Sequence, residues 1–259
     1  MSNPLDHLPL TAFFGLTAVV VLLSIEAGFQ YGRARRRKYE DEKEGPVGAI
    51  VAATLGLLAF VLAFTFGLAA SRFDARRTVV VNEANAIGTA YLRAGLLPGD
   101  AAQRLRPLLR EYVDVRLAVP HTGDLARGIR RSDELHAALW SEAQTVGRDN
   151  PNSIVVGLFI EALNEVIDIH ATRLFAVMQG RIPIVLWGAL ILVNVLSMFG
   201  VGYFCGMSRS RRTPEVLVLA LCFSAILGLV ADLDRPMEGF VRVSQQPMID
   251  VRAMMDDIK

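Results

Sequence analysis

The sequence predicts an all-α membrane protein in which four transmembrane helices carry a helical extramembrane domain inserted between spans two and three. Two observations lead there. Hydrophobic residues make up 53% of the 259 residues, more than one soluble core of this length requires. The excess is gathered into four stretches, about residues 10–30, 47–70, 183–206 and 214–231, each close to the roughly 20 residues that cross a hydrocarbon core about 30 Å thick. Between the second and third stretches, apolar residues recur instead at helical spacing among many charges. The chain therefore divides into a transmembrane hairpin (1–70), a helical domain (71–182), a second transmembrane hairpin (183–231) and a polar C-terminal segment (232–259).

The first span follows MSNPLDHLPL, which has no Lys or Arg and so lacks the charged start of a cleavable signal peptide. It is read as a retained anchor. The second span runs without a helix breaker into RFDARRTVVVNEANAIGTAYLRAGLLP, where Phe73, Val80, Ala84, Ile87 and Tyr91 share one helix face. A further helix is expected after PGD, with Asp100 as cap and Leu105, Leu108, Leu109 and Tyr112 buried. Another is expected after Ser132, burying Leu135, Leu139 and Val146; AVPHTGDLARG is read as the loop before it. A helix from about Ser153 presents Leu158, Ala162, Val166 and Leu174, with GRDNPN as the preceding turn.

After the fourth span, Asp232, Asp234 and Arg235 precede Pro236, which disfavours helix in the residue before it, so the helix is expected to end near Asp234. Phe240, Val241 and Val243 then read as a short extended piece. Pro247 opens an amphipathic helix with Met248, Val251, Met254 and Met255 on one face. The tail is expected to pack beside the central domain, with Asp232 and Asp234 facing Arg72, Arg76 or Arg77 as an architectural clasp involving Arg235.

Orientation follows from the short loops. Arg33, Arg35, Arg36, Arg37, Lys38 and Lys43 lie between spans one and two, and Arg209, Arg211 and Arg212 between spans three and four. Dense basic residues in short loops mark the cytoplasmic side. Arg72, Arg76, Arg77, Arg173, Arg181, Arg235 and Arg242 oppose them, but more sparsely. The expected placement is the cell inner membrane, multi-pass, with both termini and the central domain extracytoplasmic.

Composition excludes several function classes. A net charge of +1, from 27 basic and 26 acidic residues, gives no field for binding a phosphate backbone, so no nucleic-acid partner is expected. Cys205 and Cys222 both fall in apolar stretches, and no structural disulfide is expected. There is no phosphate-binding Gly-rich loop with a following Lys, no G-x-S-x-G and no H-E-x-x-H, so no catalytic residue and no cofactor is assigned. His7, His121 and His136 are scattered. Glu161, Glu165 and Asp168 share a helix face near His170, but the five-residue step from Glu165 to His170 is not the three-residue Glu-to-His step of di-metal bundles. They read as a solvated face, and no metal is assigned.

Candidate sites are therefore those of a membrane helix bundle. Gly48, Ala52, Gly56, Ala63 and Gly67 follow one another along the second span at steps of four and seven, as a stripe that lets helix backbones approach closely. It is either a pore-lining or subunit-contact face or ordinary packing inside the bundle. Asn82, Glu83 and Asn85 lie two to three turns beyond that span and form either a polar ring at a pore mouth or a solvated face. Glu26 is the ionisable residue within a span, a site by default or a side chain reaching water and Arg33 near the loop.

Three strings, FDARR (73–77), NEANAIGTAYLRAGLLP (82–98) and DLDRPMEGFVRVSQQP (232–247), resemble a large family of bacterial four-span membrane proteins with a bestrophin-like domain. The resemblance covers the chain from the second span onward. Its layout of two spans, a long extramembrane segment and two more spans is similar to that of bestrophins, which are pentameric anion channels. The basic loops here place bulk and termini outside, whereas bestrophins keep them in the cytosol, so no pore residue is carried across. No activity comes with the family itself, but the small-residue stripe, the lack of catalytic constellations and the resemblance together lead to the expectation of an oligomeric ion channel or conduit, in lipid, as a homo-oligomer passing small ions. A non-conducting scaffold or sensor, whose helical domain binds a partner outside the membrane, is the competing expectation.

Overall fold

The computed structural model describes residues 9–38, 44–178, 180–208, 214–235 and 239–258. Lys43, Arg209, Arg211 and Arg212, on which the orientation partly rests, lie outside them, as do His7, Pro236 and the His121 side chain. Among the described residues eight helices follow in order: α1 Leu10–Lys38, α2 Glu44–Ala94, α3 Ala101–Thr122, α4 Leu125–Asp149, α5 Ile154–Met178, α6 Ile184–Met207, α7 Pro214–Asp234 and α8 Gln246–Asp257. No strand occurs among the described residues. Four helices, α1, α2, α6 and α7, are long and apolar enough to cross a membrane.

The chain folds as two units, one of Met1–Arg72 with Arg181–Val241 and the other of Phe73–Gly180 with Arg242–Lys259. In the first unit α1 packs against α6 and α7. The α1–α6 contact is built on two pairs of glycines, Gly28 and Gly32 facing Gly202 and Gly206. A Cβ at Gly28 would meet the Phe199 carbonyl and one at Gly202 the Ile25 carbonyl; Gly32 and Gly206 likewise touch the Tyr203 and Phe29 backbones. Each helix thus carries a G-x-x-x-G step. In lipid, where no hydrophobic force joins apolar helices, such backbone approach is the main source of association. Phe13 and Trp187 meet edge to face at 5.8 Å, and Leu58, Leu62, Leu190 and Leu227 are buried. Ser197 donates to the Thr54 carbonyl at 3.2 Å, joining α6 to α2.

The second unit has its own core. Ile87 and Tyr91 of α2, Leu105, Leu109 and Tyr112 of α3, Leu135 and Leu139 of α4, Phe159 and Leu163 of α5, and Met248 and Met255 of α8 are all buried together. Helix α8 is tied down by polar contacts as well. The Tyr91 hydroxyl donates to the Met255 carbonyl at 3.1 Å, and Arg252 pairs with Asp114 at 2.6 Å.

Local structure departs from the sequence reading at three places. Helix α4 starts at Leu125, not after Ser132, because Gly123 takes a left-handed conformation (φ 69°) that reverses the chain in two residues. Asp124 then caps the new helix by accepting from the Arg127 N–H at 2.9 Å. Ser132 lies inside the helix, buried, donating to the Gly128 carbonyl. The expected loop is mostly helix, with Pro107 and Pro120 both inside α3. Asp100 stands at the α3 N-cap without a side-chain cap bond and pairs with Arg104 instead. In α5 the buried face is Val156, Phe159, Ala162, Leu163, Val166 and His170, so Ala162 and Val166 turn inward as expected, while Leu174 is half-buried and Leu158 is 42% exposed. That helix is so rich in apolar residues that spacing alone does not fix which stripe turns inward.

Candidate functional site

Helix α2 presents two distinct faces in the first unit. Val51, Leu58, Leu62, Thr65 and Ala69 are buried, and Thr65 satisfies its hydroxyl on the Val61 carbonyl of the preceding turn at 2.7 Å. About 130° round the helix, Ala52, Gly56, Ala63 and Gly67 are exposed. Neither Gly56 nor Gly67 has any atom within 4 Å of where a Cβ would stand. The four small residues therefore form an open stripe, flanked by the exposed rings of Phe60 and Phe64. Gly48 is different: its Cβ would sit 3.1 Å from the Phe204 ring, so it serves helix packing. One row of α2 is thus filled by packing within the chain, and another is left uncovered by it.

Of the other intramembrane polar groups, Glu26 has a local partner. The Gln30 amide donates to Glu26 at 2.8 Å, one turn away, and the partly buried carboxylate borders an apolar groove with Leu22, Phe29, Cys205 and Val216. Asn194 and Ser224 are buried, with the Asn194 amide nitrogen and the Ser224 hydroxyl making no hydrogen bond.

At the end of α7, Asp232 captures the following loop. One carboxylate oxygen accepts from the Phe240 N–H at 2.8 Å and the other from the Val241 N–H at 3.1 Å. Gly239 makes this possible, because its φ of 134° is open to glycine and a Cβ would collide with the same carboxylate. Asp234 accepts from the Ile182 N–H at 2.8 Å, fastening the chain that enters α6, and Arg181 and Arg72 act on it electrostatically. Both carboxylates thus hold backbone N–H groups, a use of Asp that residue spacing does not reveal. Asp232, Asp234, Arg235 and Arg76 are buried, Arg72 is half-buried and Arg77 is exposed.

Beyond the span, Asn82 and Asn85 are exposed, whereas Glu83 is 0% exposed and turned into the core of the second unit. Grouping the three as one polar ring placed Glu83 on the wrong side of the helix. Its carboxylate lies between two guanidiniums, Arg116 at 2.9 Å and Arg173, and accepts from the Tyr112 hydroxyl at 2.8 Å. Arg173 also donates to the Gln245 side chain at 3.1 Å. The Tyr112 hydroxyl stands 3.2 Å from His170 Nδ1, and the His170 and His136 rings meet edge to face at 4.8 Å. Burial first, then the Glu83 carboxylate, pushes the Tyr112 phenol well above its ordinary range. Burial first, then the His170 imidazole, pushes His136 down to about 4; burial and then Arg116 lower His170. Both imidazoles are neutral at pH 7. Asp133, one turn before His136, brings a third potential ligand to the same place. Glu161, Glu165 and Asp168, by contrast, are exposed on the opposite side of α5.

The family model described as Bestrophin-like domain matches residues 11–248. The chain is also similar in structure to a bacterial bestrophin homolog from Klebsiella pneumoniae, in a singly substituted form, with a TM-score of 0.70 at 15% identity, covering 96% of this chain and 98% of that one. No curated protein matches the sequence. The family match spans most of the chain, so the chain belongs to the bestrophin-like family and shares the bestrophin fold.

Proposed function

We propose that this member of the bestrophin-like family is one subunit of an oligomeric ion conduit, with α2 bounding the conducting axis. The single observation that carries the reading is the open stripe of Ala52, Gly56, Ala63 and Gly67 on a helix whose opposite row is already packed. A stripe with no side chains to fill it leaves room for either ions or a neighbouring backbone. Exposed Asn82 and Asn85 continue α2 beyond the span and supply uncharged polar groups for a pore mouth. The partners are the lipid bilayer, further copies of this chain and small ions, and the placement is a multi-pass one in the cell membrane, with the Arg-rich α1–α2 loop cytoplasmic.

Purified protein in liposomes is expected to pass small ions, and its mass in detergent to be that of a closed ring of four or more chains. A silent flux assay across several anions and cations, together with a monomeric or dimeric mass, points instead to a non-conducting scaffold or sensor. Orientation is tested separately. In a background lacking Cys205 and Cys222, Arg36→Cys and Arg127→Cys are expected to label from opposite sides, and labelling of position 36 from outside overturns the assignment.

A further inference from the structure

We infer that Asp133, His136 and His170 form a binding site for a divalent transition-metal ion, clipping α4 to α5 inside the helical unit. One oxygen of Asp133 and one nitrogen of each histidine lie within 4.8 Å of one another. Asp133 and His136 are three apart on α4 and so share a face, and His170 comes from α5. His136 and His170 are only 8% and 4% exposed, yet the Nε2 atom of each is buried without a hydrogen-bond partner among the described residues. Two such atoms in a group of three that also holds a carboxylate are unusual, since buried polar groups are almost always satisfied. His170 Nε2 stands 3.6 Å from an Asp133 oxygen, too long for a hydrogen bond. It is close to the roughly 3.3 Å that separates two ligands in a tetrahedral site with metal–ligand distances of about 2.0 Å.

The surrounding residues are those a metal-bound histidine needs. The one proton of the Tyr112 hydroxyl goes to Glu83, so at 3.2 Å the hydroxyl oxygen accepts from His170 Nδ1–H. That fixes the tautomer whose Nε2 carries the free lone pair. A histidine ligand held through its other nitrogen by a chain ending in a carboxylate is the usual outer shell of zinc-type sites. Arg116, whose charge acts on both imidazoles, is itself engaged with Glu83, and burial disfavours the charged form of both histidines. Asp133 has 65% of its side chain exposed, which leaves a path for the ion and freedom to close on it. Two nitrogens and one oxygen suit zinc, cobalt or nickel over magnesium or calcium, with solvent in the remaining position.

The test uses the full chain in detergent, freed of any affinity tag and stripped with chelator, with Co²⁺ as probe. One equivalent per chain is expected to produce visible ligand-field absorption that Zn²⁺ displaces. Tyr112→Phe is expected to weaken Co²⁺ binding about tenfold, as loss of an outer-shell partner does. Asp133→Asn, at an exposed position where folding is unaffected, is expected to weaken it at least as much. His136→Gln with His170→Gln is expected to abolish it, with helicity by circular dichroism reporting whether that variant folds. Absence of the absorption in the parent protein, or binding unchanged in Asp133→Asn, overturns the site.

Discussion

Glu83 stands at the centre of the helical unit's polar chemistry. With no solvent exposure and two guanidiniums against it, its removal strands Arg116 and Arg173 as buried charges. Breaking one side of such a group costs about 3–5 kcal/mol, so Glu83→Ala is expected to lower the unfolding temperature of the detergent-solubilised protein sharply. Asn82→Ala and Asn85→Ala, one residue before and two after on the exposed face, are expected to leave it unchanged. A second residue-scale prediction concerns the loop after α7. Asp232→Ala leaves the Phe240 and Val241 N–H groups without their carboxylate, a loss of about 2–3 kcal/mol. Gly239→Ala should produce the same outcome by steric means, and the two together are expected to be little worse than either, since they break one contact. Protease sensitivity of residues 239–245 reads both.

At the scale of the helix, the two sets of glycines should behave oppositely. Gly28→Leu or Gly202→Leu forces a side chain into the facing backbone and is expected to cost about 1–3 kcal/mol or more, seen as loss of the folded monomer on titration with denaturing detergent. Gly56→Ala meets open space and is expected to leave monomer stability unchanged. The sequence displays both sets, but only the stripe in α2 stands out there. The α1–α6 pairing is invisible because nothing in a linear pattern says which two of four apolar helices face each other. The spans themselves were legible, since about 20 apolar residues admit few other readings. The α3–α4 turn was not: Pro120 suggested a loop, yet Gly123 and Asp124 alone turn the chain and start the next helix. The His136–His170 pair escaped for a related reason. Their 34-residue separation matches no ligand spacing, and only the packing of α4 on α5 brings them together.

For the molecule as a whole, membership of the bestrophin-like family and the shared fold give the four-span layout a context in which α2 is the informative helix. It carries a packed row, an open small-residue stripe and, further along, the buried Glu83 that anchors the helical unit. The central claim is that the open stripe bounds a conducting axis. Its most direct test is conductance across a planar bilayer of protein lacking Cys205 and Cys222 and carrying Ala63→Cys, recorded before and after a charged thiol-reactive reagent. The account predicts an ion current in both the cysteine-free parent and the variant, with the reagent blocking or markedly altering it only in the variant. No current in either protein, or a current in Ala63→Cys that the reagent leaves untouched, contradicts it.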